Sequence, residues 1–380
     1  MVAQNLDERE AALEGPAERA AAIKPNGIQV FYRPQEWTER QALLAVALSL
    51  VVIKSIQFAR DSQALFFSDS GSYMMNALGL GFSAFRSYVY GDMIHVFALP
   101  FHSLRAIVAM QIIMAGCTAW LLAFALVRFL AVRPWIAMLA AVVFAFDPVQ
   151  IVHEHMVMTE TVALLAMAVY LVTTLEYIRT KSVHWLVILA FVGILLVSLR
   201  TVYLPVVLVT AVIVPVVACV AFPPARLRIL AFALVVSCLS TMVFHVGYRK
   251  LTGRLARREP IYTENSGSFL LVTTIPILEP GDARDARISD AIVAQSKSRF
   301  PLGREHRWVQ LWSTDGLVAR IKMIFDNDGR VVDQATRSVA LAAIRRDPLG
   351  YVGIGVQNWL DYWRKIPNVR SQLTSEDGMK

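Results

Sequence analysis

"QALLAVALSLVVIKSIQFA", residues 41–59, decides the class of this protein, because it carries one charged side chain, Lys54, in an otherwise apolar run. A helix of about 20 apolar residues crosses the ~30 Å hydrocarbon layer of a bilayer. Working outward, six further stretches read the same way: 106–127, 135–152, 156–175, 183–199, 202–222 and 229–247. Asp147-Pro148 interrupts the segment 135–152, and 183–199 is short. The chain of 380 residues is 56% hydrophobic and 17% charged, against about 45–50% and about 25% in soluble domains. The expectation is an all-α polytopic membrane protein of about seven transmembrane helices. Residues 1–40 form a polar tail, 41–247 the membrane domain with a long loop at 60–105, and 248–380 a small α-rich domain outside the bilayer.

The net charge of +8 sits largely beside apolar segments, where anionic headgroups account for it; nucleic acid is not an expected partner. Cys117, Cys219 and Cys238 fall inside apolar segments and make neither a disulfide framework nor a zinc pattern. Residues 1–30 lack the apolar core of a cleavable signal peptide, so the first span is expected to stay as an anchor. "VRFLAVR" (127–133), "RTKSVH" (179–184) and "ARLR" (225–228) are basic without an acid. Lys and Arg in short loops mark the cytoplasmic side, and long domains translocate largely regardless of charge. The N-terminus is therefore expected in the cytoplasm, and the loop 60–105, the connection 147–157 and the tail after 247 outside.

That outer face collects polar residues. Asp69, in "FFSDSGSYMM" (66–75), stands with Ser70, Ser72 and Tyr73. It reads either as the N-cap of a helix over "YMMNALGL" or as an interfacial carboxylate available for chemistry. "VHEHMVMTET" (152–161) supplies His153, Glu154, His155 and Glu160. Glu160 opens a membrane helix, where an acid is a functional candidate, although the helix dipole also favours it there. The two histidines are two apart, whereas H-E-x-x-H zinc sites need them four apart on one helix face. Arg200, in "LVSLRTVYLP" (196–205), is either a snorkelling arginine or a bidentate phosphate ligand. "FRSYVYGDMIHVFALPFH" (85–102) adds Arg86, Tyr88, Tyr90, His95 and His102. Lys54, near the outer end of its segment, is expected to snorkel.

The ordered set Asp69, Tyr73, Arg86, Tyr90 and Gln111, then Pro148, Glu160, Arg200 and Pro205, resembles the GT-C class of polytopic glycosyltransferases. The likeness covers about residues 41–247 and departs at "YVYGDM" (88–93), which has no proline after its glycine. The resemblance implies an inverting transfer of a sugar from a polyprenyl-phosphate donor to a glycan, lipid or protein acceptor, on the periplasmic side of a bacterial inner membrane. It makes Asp69 the general base, sets Arg200 and Arg86 at the phosphate, and adds Tyr73 and Tyr90 to the substrate site. Glu154 and Glu160 would position the acceptor or hold a divalent ion (Mg or Mn). Two rival readings stand beside it. A transporter or lipid flippase would want ionisable groups at mid-membrane and paired broken helices, and a non-enzymatic scaffold would need no convergence on Asp69.

Overall fold

A backbone in hydrocarbon has to satisfy its own polar groups, and a helix does so within one segment. In the computed structural model the apolar stretches are helices accordingly. The structure describes residues 37–67, 69–80, 86–220, 227–255, 262 and 265–364. Its regular elements there are helical, and the β contact is one isolated parallel bridge between Leu65 and Met156.

The first unit, Met1–Tyr262, contains α1 (Trp37–Arg60), α2 (Ser70–Ala77), α3 (Tyr88–Phe97), α4 (Leu104–Leu130), α5 (Pro134–Ala145), α6 (Pro148–His155), α7 (Glu160–Thr180), α8 (His184–Leu199), α9 (Leu204–Val220) and α10 (Leu227–Leu255). Among the described residues five helices are long and apolar enough to cross a membrane, and six if α5 and α6 count as one bent span. This is coarser than the seven spans expected. The bend between α5 and α6 is 54°, and its cause is local. Asp147 accepts hydrogen bonds from the backbone N–H groups of Val149 and Gln150 and caps α6, with Pro148 at its first position, a strong helix start. α8 has 16 residues, short of the about 20 that a straight span needs. The last apolar stretch, expected to end at 247, continues as one helix to Leu255.

α1 and α5 both pack on α4. Ala119 and Ala123 of α4, and Ala137, Ala141 and Ala145 of α5, are fully buried. Spaced four apart, they form the small-residue faces that let membrane helices approach closely. α7, α8, α9 and α10 make a second layer around Tyr170, Tyr177, Leu186, Leu189 and Leu196.

Pro215 lies inside α9, so the carbonyl of Ala211, four residues earlier, loses its N–H donor. Ser237 of α10 supplies the replacement: its hydroxyl donates to the Ala211 oxygen at 2.7 Å. Freed backbone groups in membrane helices are commonly re-satisfied by such hydroxyls.

The second unit, Thr263–Lys380, holds α11 (Ser266–Thr274), α12 (Ala286–Ser296), α13 (Arg307–Trp312), α14 (Leu317–Ile324), α15 (Gly329–Arg346) and α16 (Pro348–Arg364). Its core is built on Leu271, Val272, Ile292, Leu317, Ile321 and Val332. α11 forms from the β-branched run at 268–278, because tertiary packing on α15 overrides the strand preference. Gly267 makes that packing possible: its N–H donates to Asp333 Oδ1 at 2.6 Å, and a Cβ there would collide with the Asp333 carbonyl.

Ser237→Ala should leave the Ala211 carbonyl buried and unpaired, destabilising the protein by about 1–3 kcal/mol. Pro215→Ala in the same chain restores the N–H and should recover most of that loss. Unfolding of the single and double variants in detergent micelles measures both; a double variant as unstable as Ser237→Ala would refute the link.

Candidate functional site

Two polar clusters stand in the first unit, and they differ in kind. One is closed. Lys54 of α1 is 5% exposed and Glu154 of α6 fully buried, and Lys54 Nζ donates to Glu154 Oε1 at 2.6 Å, to Gln57 Oε1 at 3.0 Å and to the Ala145 carbonyl at 3.0 Å. Gln57 Nε2 donates to the other carboxylate oxygen at 2.9 Å. Lys54 therefore does not snorkel, as the sequence suggested; it is buried as the counter-ion of Glu154. Gln111 of α4, also fully buried, donates to the backbone carbonyls of Glu154 and Met156 at 3.0 and 2.8 Å and accepts from the Tyr90 hydroxyl at 2.9 Å.

The segment from α6 into α7 is stitched to the chain after α1. Leu65 N–H donates to the His155 carbonyl at 2.7 Å, and Val157 N–H to the Leu65 carbonyl at 2.9 Å. Both ring nitrogens of His155 face backbone carbonyls, Ile151 at 2.8 Å and Asp61 at 3.3 Å, which occupy the two directions from which a metal would approach.

The second cluster is open. Asp69 occupies the N-cap position of α2, yet its side chain makes no capping bond. Arg86 Nη2 instead donates to Asp69 Oδ1 at 2.5 Å, with the two side chains 25% and 24% exposed. At the head of α7, Glu160 Oε1 accepts from Arg200 Nη1 at 2.8 Å, and Glu160 Oε2 is buried with no hydrogen-bond partner among the described residues. Arg200 closes α8, so this ion pair brings the start of α7 and the end of α8 to one end of the bundle.

Tyr73 joins the two pairs. Its ring meets Tyr90 edge-on, with centroids 5.0 Å apart. Burial pushes the Tyr73 phenol above its ordinary value, a hydrogen bond to Thr159 pulls it back, the carboxylates of Asp69 and Glu160 raise it, and Arg86 opposes them. Burial likewise raises the Tyr90 phenol, with smaller contributions from Tyr73 and Glu160. Both tyrosines are thus neutral hydrogen-bond donors at neutral pH. α2 and α3 sit close enough for this because position 91 is glycine: a Cβ there would fall on the Asn76 side chain, which donates to the Tyr88 carbonyl at 2.9 Å.

Of the residues singled out from sequence, Asp69, Tyr73, Arg86, Glu160 and Arg200 thus form one linked group, and Tyr90 backs it. Glu154 belongs to the closed cluster. Sequence reasoning did not find Gln57, Thr159 or the role of Lys54. A lysine within an apolar run and an acid in another are the available signal for that pair, since each needs a partner. Among the described residues no group of three His, Cys, Asp or Glu side chains is placed to hold a metal ion. Glu154 and Glu160, the two acids the resemblance would set on a divalent ion, are each held by a cation, Lys54 and Arg200, so this donor set does not fit the ion. The large grooves lined along α1 and α4 and along α9 and α10 include none of Asp69, Glu160 and Arg200 in their walls. No protein-family model, no curated protein and no solved structure matches the chain.

Lys54→Met should strand the Glu154 carboxylate, and removing one partner of a buried pair destabilises by about 3–5 kcal/mol. Adding Glu154→Leu should recover most of the loss, because an apolar replacement of the whole pair is often neutral. Thermal unfolding of the purified variants reads both effects, and an unchanged Lys54→Met protein would refute the pairing.

Proposed function

We propose that the protein is a membrane glycosyltransferase that moves a sugar from a polyprenyl-phosphate donor to an acceptor hydroxyl, with Asp69 as general base. The observation that carries the reading is the linked group Asp69–Arg86, Tyr73 and Glu160–Arg200 at one end of a helical bundle. Transfer of this kind needs a carboxylate for the acceptor proton and cations for the departing phosphate. The group contains both.

In this reading the acceptor oxygen attacks the anomeric carbon while the bond from that carbon to the phosphate oxygen breaks. The acceptor proton passes to Asp69, and the electron pair leaves with the polyprenyl phosphate. The incoming phosphate draws Arg86 from Asp69 and Arg200 from Glu160, exchanging one anion for another and uncovering the base. Both guanidiniums are partly exposed, 25% and 41%, which leaves the phosphate a route to them. Tyr73 donates a hydrogen bond as a neutral phenol, and Glu160 Oε2 is left to orient the acceptor. Grooves of 460 and 550 Å³ share Phe58, Ala109 and Ile113 along α1 and α4 and suit a hydrocarbon chain.

The same reading sets seven membrane passes, counting α8 and the bent α5–α6 pair, with the N-terminus in the cytoplasm and the second unit in the periplasm of a bacterial inner membrane. The polar group at one end, away from mid-membrane, favours it over a transporter or flippase.

Asp69→Asn keeps the shape and a hydrogen bond to Arg86 but removes the proton acceptor. The variant should fold and insert as wild type yet lose turnover of lipid-linked sugar by roughly a hundredfold or more, the usual range for a general base. Wild-type turnover in a stable Asp69→Asn protein would sink the assignment.

Reporter fusions test the sidedness. One after residue 180 should read cytoplasmic and one after 255 periplasmic. Two fusions on the same side would refute it.

A further inference from the structure

α9 and α10 border a further groove, of 370 Å³, lined by Leu208, Ala211, Val212, Met242, His245 and Arg249, together with Tyr262. Its α10 wall follows the helical repeat: Met242, His245 and Arg249 are three and four residues apart and so share a face. The walls change character along the groove. Leu208, Val212 and Met242 make an apolar slot, while His245, Arg249 and Tyr262 gather at the end toward the C-terminus of α10.

His245 is 5% exposed. Its Nδ1 lies 2.8 Å from the Tyr262 hydroxyl, and its Nε2 is buried with no partner among the described residues. A buried polar nitrogen without a partner is costly, so a ligand that supplies an acceptor there would be stabilised. With the Tyr262 hydroxyl donating to Nδ1, the imidazole proton is on Nε2 and the group is a donor. Arg249 stands over the Tyr262 ring, its guanidinium carbon 5.4 Å from the centroid. Lys250 and Arg254 follow, and α10 has no acid along its length.

We infer that this groove binds an anionic phospholipid, with one acyl chain in the slot between α9 and α10 and the headgroup phosphate on Arg249 and His245 Nε2. The argument for a lipid is on both sides of the groove: each wall is a helix long and apolar enough to cross a membrane, so hydrocarbon is what surrounds it. The argument for a negative headgroup is the basic end, since a guanidinium makes charge-assisted bonds to phosphate and no acid on α10 offsets Arg249, Lys250 and Arg254. The inference does not rest on the glycosyltransferase reading.

Full-length protein, purified and delipidated in a zwitterionic detergent, is titrated with phosphatidylglycerol, phosphatidylcholine or inorganic phosphate, and bound molecules are counted by native mass spectrometry. Phosphatidylglycerol should bind wild type at least about tenfold more tightly than phosphatidylcholine, whose choline cation offsets the phosphate charge and is repelled by the basic end. Arg249→Gln should lose about that selectivity, because the charged fork is gone. Val212→Trp, which fills the slot from its lipid-facing side, should weaken both lipids. Both side chains lie on the surface, so these variants should fold as wild type. Equal affinity for the two lipids would overturn the inference, as would unchanged phosphatidylglycerol binding in Arg249→Gln. Displacement of the lipid by inorganic phosphate alone would make this a free-phosphate site and overturn it too.

Discussion

The structure depends on one buried ion pair. Lys54 and Glu154 are 100 residues apart in sequence and 2.6 Å apart in space, within a layer where an unpaired charge costs several kcal/mol. Neither residue is tolerable without the other, so α1 and α6 are obliged to meet. The remaining valences of the pair extend the obligation. The third ammonium proton reaches the last carbonyl of α5, and Gln57 takes the free carboxylate oxygen. Gln111 then ties the same stretch to α4 and, through Tyr90, to α3. Five helices are held in register by groups that have nowhere else to find partners.

That knot is what makes the open cluster possible. The chain leaves α6 at Met156, whose backbone is extended and bridged to Leu65 on both sides, and so delivers Thr159 to Tyr73 and Glu160 to Arg200. Because α1 is anchored by Lys54 a few residues before its end, the chain leaving it passes beside that strand-like segment before reaching Asp69. Membrane packing has little hydrophobic drive between helices. Here small alanine faces and a saturated polar knot take its place, and the ion pairs of Asp69 and Glu160 stand apart from that knot.

Much of this was legible in the sequence, and the failures have reasons. Apolar runs gave the helices, since hydrocarbon admits few alternatives, and Asp147-Pro148 announced the bend because a capping acid followed by proline starts a new helix. The polar residues at one end of the bundle were recognisable as candidates by type. Their partners were not. Lys54 looked like a snorkelling lysine because nothing local distinguishes a side chain that reaches an interface from one that finds an acid 100 residues away. Asp69 read either as a cap or as a carboxylate for chemistry; it occupies the cap position, but the charge on Arg86 takes its carboxylate. The hydroxyl of Ser237 could not be assigned from sequence either, since the carbonyl it serves is orphaned by a proline in another helix.

The two clusters also separate charge that holds the fold from charge available to a ligand. An ammonium group has three donors, and Lys54 uses all three on protein acceptors. Both oxygens of Glu154 are likewise occupied, so a ligand arriving there would have to break the knot before gaining a bond. At the other cluster the counting differs. A guanidinium has five donors, and the bonds of Arg86 to Asp69 and of Arg200 to Glu160 each use one. Glu160 keeps an acceptor oxygen that no described residue meets, and the side chains there are partly exposed. Binding needs donors and acceptors in reserve, held in position without being saturated. By that criterion Glu154 is framework, whereas Glu160 keeps one oxygen in reserve among the described residues.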